Sequence, residues 1–211
     1  MGEVTERSAD AALRDRVCEA SLACIARWGI TKTTLDDVAR EAGCSRATIY
    51  RAFQGGKAEV LAATLAREVE RFRAEVGGAI DGTRDDLEEA VVAGVVAAAR
   101  FLRGHDALAY LLAREPDVVL PWIAFQRMGR LYDTVGEFAA PFLARFIPEP
   151  HAARRAAEWL ARVVLTHVVN PAPGCDLADP AEARHLLSTY VIPGLARAAR
   201  STNPEEPCPA A

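Results

Sequence analysis

Apolar residues recur three or four positions apart along almost the whole of this chain, the spacing of helices with one buried face. From about Ala9 to Trp28 the stripe is Leu13, Val17, Ala20, Cys24 and Trp28, closed by Gly29. Leu35, Val38, Ala39 and Ala42 form one face of a shorter helix that Gly43 stops. Ile49 and Phe53 share a face of a third, from Arg46 to about Phe53. A long helix from Lys57 to about Val76 carries Val60, Leu61, Leu65, Val69, Phe72 and Val76, and Gly77-Gly78 and Asp81-Gly82 then predict a loop.

Asp85 to about Leu102, with Leu87, Val91, Val92, Val95, Val96 and Ala99, reads as a helix buried on more than one side. Gly104 stops it, and Asp106 is placed to cap a short helix to Arg114; Arg114 and Glu115 read as a surface pair. Beyond Pro116 and Pro121 an apolar element runs on past Tyr132 to Phe138, bounded by Pro141 and Pro148. Pro150 suits the first turn of a helix reaching about Asn170, and a Pro- and Gly-containing loop follows. Pro180 opens the last helix, where Pro193 predicts a kink or break. Residues 1–8 read as loose and the tail after Ser201 as disordered. No strand pattern, repeat or heptad run appears, so the fold class is all-α.

The stretch from Thr33 to Leu61 carries the chemistry. Thr33 and Thr34 are candidate caps, and Asp36 and Asp37 each stand three residues after a Thr, as in a capping box. Ser45 caps the next helix. Helix, glycine-containing turn, helix is the helix-turn-helix pattern, whose second helix enters the major groove of DNA. With Ile49 and Phe53 turned inward, Arg46, Ala47, Thr48, Tyr50 and Arg51 are left around the rest of that second helix.

Charge changes this picture little. The chain of 211 residues carries a net charge of −4, which argues against indiscriminate coating of nucleic acid. Between Ile30 and Lys57, however, Lys32, Arg40, Arg46, Arg51 and Lys57 outnumber Asp36, Asp37 and Glu41. The five cysteines include no pair at CxxC spacing, so neither a disulfide framework nor a zinc site is expected, and no cofactor is implied. No signal-peptide pattern or apolar run of bilayer-spanning length is present, and the expected compartment is the cytoplasm. His105, His151, His167 and His185 are scattered, without HExxH, GxSxG or phosphate-loop spacing; His105-Asp106 and Glu158 have nothing to fix them as an acid/base pair, and an enzyme is not expected.

The run TTLDDVAREAGCSRATIYRAF, with a Lys and an apolar residue opening the following helix, resembles the DNA-binding domain of TetR-family transcriptional regulators over about residues 12–61. One departure is Gly55-Gly56 before Lys57, where the family more often has a single small residue. The resemblance implies a three-helix DNA-binding domain over residues 1–56, a helical effector-binding and dimerisation domain over 57–200, and a tail over 201–211. By the same resemblance Ser45, Arg46 and Thr48 face base edges or nearby phosphates, with Arg46 matched to a guanine. Tyr50 donates to a phosphate, Thr33 and Thr34 bind phosphate through hydroxyls and backbone N–H groups, and Lys57 is a further phosphate contact.

The family pattern also implies a homodimer on a pseudo-palindromic operator in double-stranded DNA, its recognition helices about 34–36 Å apart. The last two helices, around 151–169 and 181–200, are the expected dimer surface. Trp122, Phe125, Gln126, Met128, Tyr132, Trp159 and His167 are candidate lining of an effector pocket, and their shortage of charge points to a small hydrophobic effector. A regulator controlled by protein contacts, without an effector, is the alternative. The effector, the operator sequence and the sign of regulation are not encoded legibly.

Overall fold

Several helix starts among the described residues are capped by side chains that satisfy free N–H groups of the first turn. The structure, a computed structural model, describes residues 2–83, 85–118 and 128–200. Its helices are α1 (Gly2–Lys32), α2 (Leu35–Glu41), α3 (Arg46–Ala52), α4 (Gly56–Asp81), α5 (Leu87–Arg103), α6 (Asp106–Arg114), α7 (Met128–Leu143), α8 (Pro150–Val169), α9 (Pro180–Tyr190) and α10 (Ile192–Arg200). Among the described residues there is no strand, and no helix long and apolar enough to cross a membrane. The fold is all-α, as the periodicity predicts.

Two compact units result. The first is Met1–Phe72 together with Gly104–Pro121; the second is Arg73–Arg103 together with Trp122–Ala211. In the first unit α1 packs on α2, α3 and α6. Its core is small: Val17, Cys18, Ala20 and Cys24 of α1 meet Leu35, Val38 and Ala39 of α2, Ile49 of α3, Phe53 and Val60. Arg14 reinforces this core from α1. Its guanidinium lies 4.1 Å over the Phe53 ring and donates to the carbonyl of Ala52, closing the C-terminal end of α3.

In the second unit α5 is the central element. Ala90, Val91, Val92, Gly94, Val95, Val96, Ala98 and Ala99 are all buried, so it is covered on more than one side. It packs against α8, α9 and α10, and α7 and α8 lie along each other. Glu149 caps α8 by accepting from His151 N (2.8 Å) and Ala152 N, and Asp179 caps α9 in the same way.

Several expectations need correcting. The helix α1 begins at Gly2, because Glu3, Glu6 and the alanines up to Ala12 favour helix and polarity alone does not break one. Trp28 is 39% exposed; the buried stripe turns through Ser21, Cys24 and Ile25 and leaves it at the edge. Gly77 and Gly78 do not interrupt α4. A Cβ on Gly77 would lie 3.2 Å from Phe142 Cζ, and one on Gly94 of α5 would lie 3.0 Å from Ile80 Cδ1. The glycines at 77 and 94 make room for neighbouring side chains, and the chain turns only after Asp81. Asp106 is not the cap of α6: His105 is, its Nδ1 accepting from Leu108 N at 3.1 Å. Pro193 acts as expected, with α9 ending at Tyr190 and α10 beginning at Ile192.

Candidate nucleic-acid interface

The two seven-residue helices α2 and α3 are too short to be stable alone, so caps and tertiary contacts must hold them. Thr34 caps α2. Its hydroxyl oxygen accepts from Asp37 N (3.2 Å) and donates to Asp37 Oδ2 (2.6 Å), which also accepts from Thr34 N (3.1 Å). Of the two Thr/Asp pairs in the sequence, this one is the capping box. The Asp37 carboxyl is held below its usual range chiefly by the Thr34 hydroxyl and backbone. Ser45 caps α3 by accepting from Thr48 N at 3.1 Å, and the two hydroxyl oxygens lie 2.8 Å apart. Gly43, at φ +64°, takes the left-handed turn between the helices, where a side chain would be strained.

Ile49 is fully buried, so the other side chains of α3 are pushed outward. Arg46, Tyr50 and Arg51 are exposed and Thr48 is half-buried. Arg46 and Tyr50, one turn apart, are joined. An Arg46 guanidinium N–H donates to the Tyr50 hydroxyl at 3.3 Å, and the group lies 5.5 Å from the ring centroid. The other arm of the fork donates to Asp36 of α2 at 2.9 Å. Tyr50 and then Asp36 raise the already high pKa of Arg46. The Tyr50 hydroxyl accepts from Arg46 and so keeps its own proton for a further acceptor. Arg46 is thus a charged fork held over the surface by neutralising contacts that a base edge or phosphate can replace.

Two expected contacts sit differently. Thr33 is 2% exposed, and its hydroxyl donates to Gly29 O at 2.6 Å inside the turn between α1 and α2. That hydroxyl holds the chain rather than facing outward. Lys57 is half-buried, with its Nζ donating to Ile30 O at 2.7 Å. The extra glycine before it is absorbed by Gly56 at φ +63°, where a Cβ would touch the Tyr50 ring at 3.4 Å. Sequence reasoning also missed Asp36 as the partner of Arg46, Arg14 as the clamp on α3, and Glu115, which is not half of a surface pair. Its carboxylate accepts from Ile30 N at 2.8 Å. No local signal marks a contact across 85 positions of sequence.

Of the candidate effector residues, Trp122, Phe125 and Gln126 lie outside the described residues, as does the side chain of Met128. Tyr132 is buried in the second unit, with the Arg162 guanidinium 3.8 Å over its ring. Trp159 is 53% exposed on α8. His167 lines a cavity of about 200 Å³ with Ala99, Arg103, Pro171, Cys175 and Leu177; neither Tyr132 nor Trp159 does. Asp176 pairs with Arg103 at this cavity, and that ion pair pulls the Asp176 carboxyl below its usual range.

Residues 17–64 match the family described as bacterial regulatory proteins, tetR family. The chain is 27% identical over 182 residues to an HTH-type transcriptional regulator of Mycobacterium tuberculosis strain H37Rv, a match spanning 85% of this chain and 83% of that one. An HTH-type regulator of Mycobacterium bovis is 33% identical over 100 residues, 47% of this chain and 50% of its own. Among solved structures, the TetR family repressor AlkX from Dietzia sp. strain DQ12-45-1b superposes with a TM-score of 0.64 at 25% identity, over 89% of this chain and 97% of that one. The fatty acid degradation regulator FadR from Bacillus halodurans shares the fold, with a TM-score of 0.54 at 20% identity over 83% and 93% of the two chains. The capped pair α2–α3 with its exposed Arg46 and Tyr50 falls inside the matched segment, so residues 17–64 are a domain of the tetR family of bacterial regulatory proteins, carried by a chain that is similar along most of its length to HTH-type transcriptional regulators.

Proposed function

We propose that the protein is a cytoplasmic, ligand-responsive repressor that binds a pseudo-palindromic operator as a homodimer and is released by a small hydrophobic effector. The observation that carries the DNA-binding part is the Arg46–Tyr50 pair, exposed on a helix whose opposite face is locked by Ile49 and whose start is capped by Ser45. Thr34, Thr48 and Arg51 flank it, and the fork geometry of Arg46 suits a guanine. The dimer reading is supported by the outer face of the last helices. Trp159 and Val169 on α8 and Tyr190 on α9 are large apolar side chains left exposed, Tyr190 at 75%. The effector reading draws on the similarity to AlkX, which is implicated in biodegradation of n-alkanes.

The test begins with a duplex enriched from a random pool by the wild-type protein. Arg46→Ala is expected to weaken binding about tenfold or more and to relax selectivity at one base pair, the cost of a lost bidentate contact being about 1–3 kcal/mol. Tyr50→Phe is expected to weaken binding to all duplexes alike. Unchanged affinity in both variants contradicts the assigned roles. The alternative is control by protein contacts without an effector. Mass analysis of small molecules released from the purified protein separates the two. A retained hydrophobic compound supports the sensor, and its absence supports protein-contact control.

A further inference from the structure

The turn between α1 and α2 is held from outside by an element far away in sequence. At Gly29 the backbone of α1 leaves helical geometry (φ 82°, ψ 172°), which turns the following N–H groups off the helix axis. The carboxylate of Glu115, just past the end of α6, receives them: Ile30 N donates to Oε2 at 2.8 Å and Thr31 N to Oε1 at 3.3 Å. The approach is close enough that a Cβ on Gly29 would lie 2.5 Å from the Glu115 carboxyl carbon. Two more groups hold the same turn. Lys57 at the start of α4 donates to Ile30 O, and Thr33 donates to Gly29 O. Thr34, the cap of α2, is the next residue. At its other end α6 is tied to the same unit, where His105 Nε2 lies 3.3 Å from Oε2 of the buried Glu68 of α4.

We infer that Glu115 is a positioning residue for DNA binding: by clamping the kinked turn at Ile30 and Thr31 it fixes where Thr34 and α2 present themselves to the duplex. The inference rests on the DNA-binding reading above. The carboxylate acts through the backbone it caps at Ile30 and Thr31. A charged acceptor is suited to this, because one carboxylate satisfies two donors and its bonds to backbone N–H groups are stronger than neutral ones.

The test uses the full-length protein and the duplex enriched by wild type, with affinity measured across a salt series. Glu115→Ala is expected to bind at least about fivefold more weakly, the low end of coupling between distinct sites. Its log K against log [salt] slope should be shallower by about one, as a phosphate contact is lost. Glu115→Gln, which keeps one acceptor of the same shape, should fall between Ala and wild type and covers the case in which the Ala variant does not fold. Glu149→Gln is the control. Glu149 does the same capping work on α8 in the second unit, so its loss lowers stability without changing the salt slope. Wild-type affinity and slope in both Glu115 variants, or slope changes no larger than in Glu149→Gln, overturn the inference. A wild-type protein that enriches no duplex overturns the DNA-binding reading instead.

Discussion

The first unit and the second are both helical and both built on small apolar residues, yet they expose their purpose very differently. In the first, the groups proposed to meet DNA are side chains at fixed spacing on two short helices, and the core holds that spacing. Phe53 and Ile49 are completely buried, and Arg46 and Tyr50 stand outside as a consequence. In the second, α5 is so uniformly Ala and Val that its sequence says only that it is buried. The DNA-binding role proposed for the first unit rests on side-chain spacing and is written along the chain, whereas the effector site proposed for the second depends on how distant helices meet. Within the first unit itself the caps separate local from remote contacts. Thr34 and Ser45 sit three residues from their partners, while Glu115 sits 85 residues from its own.

The comparison breaks most visibly if the first unit's core is attacked. Phe53→Ala removes a fully buried ring and the surface under the Arg14 guanidinium. A loss of about 3–5 kcal/mol is expected, enough to unfold a unit with so small a core. Denaturant titration followed by circular dichroism should then show an early transition confined to part of the helical signal. A single unshifted transition would mean that the first unit does not depend on this core.

A smaller perturbation sharpens the difference between local and remote capping. Ser45→Ala removes the capping hydroxyl and leaves Thr48 N only its bond to the Ser45 carbonyl at 3.0 Å, and should cost about 1 kcal/mol, the usual value of an N-cap. The change should appear in the denaturation midpoint and in duplex affinity together, because α3 carries both. Affinity alone falling, with the midpoint fixed, would assign Ser45 to direct contact instead.

The smallest effect is a pH dependence. Asp37 has a folded pKa below its ordinary value of 3.8, first through the Thr34 hydroxyl and then through the Thr34 backbone N–H. A depressed carboxyl stabilises the fold fully above its unfolded pKa, and the contribution is lost as pH falls through the folded value. Below about pH 4, near the unfolded value, wild type should therefore lose midpoint stability more steeply than Asp37→Asn. Parallel curves for the two proteins would show that ionisation of Asp37 adds nothing to stability in solution.

Residues near one another in sequence made most of the helix-turn-helix legible. The buried face of Leu35, Val38 and Ala39, the stop at Gly43, the cap at Ser45 and the break at Pro193 are all local consequences of side-chain shape and hydrogen bonding, and periodicity exposes them. The same rules misplaced Gly77 and Gly78, because a glycine that admits Phe142 cannot be told from one that ends a helix until the neighbour is known. They named Asp106 as a cap where His105 serves, since an imidazole nitrogen becomes an acceptor only in one tautomer. They offered Thr33 and Lys57 as phosphate contacts and gave no sign that the Thr33 hydroxyl donates to Gly29 O and the Lys57 ammonium to Ile30 O.

By itself, then, the sequence determined an all-helical chain, the identity of the capped pair α2–α3, and Arg46 and Tyr50 as its outward residues. Only the tertiary structure decided that α6 belongs with the first unit, that Arg46 rests on Asp36, and that Glu115 holds the kink at Gly29. The physical reason is range. Helix periodicity and capping act over three or four residues, while a buried glycine, a salt bridge and a carboxylate clamp depend on which distant surface the folded chain brings within about 3 Å.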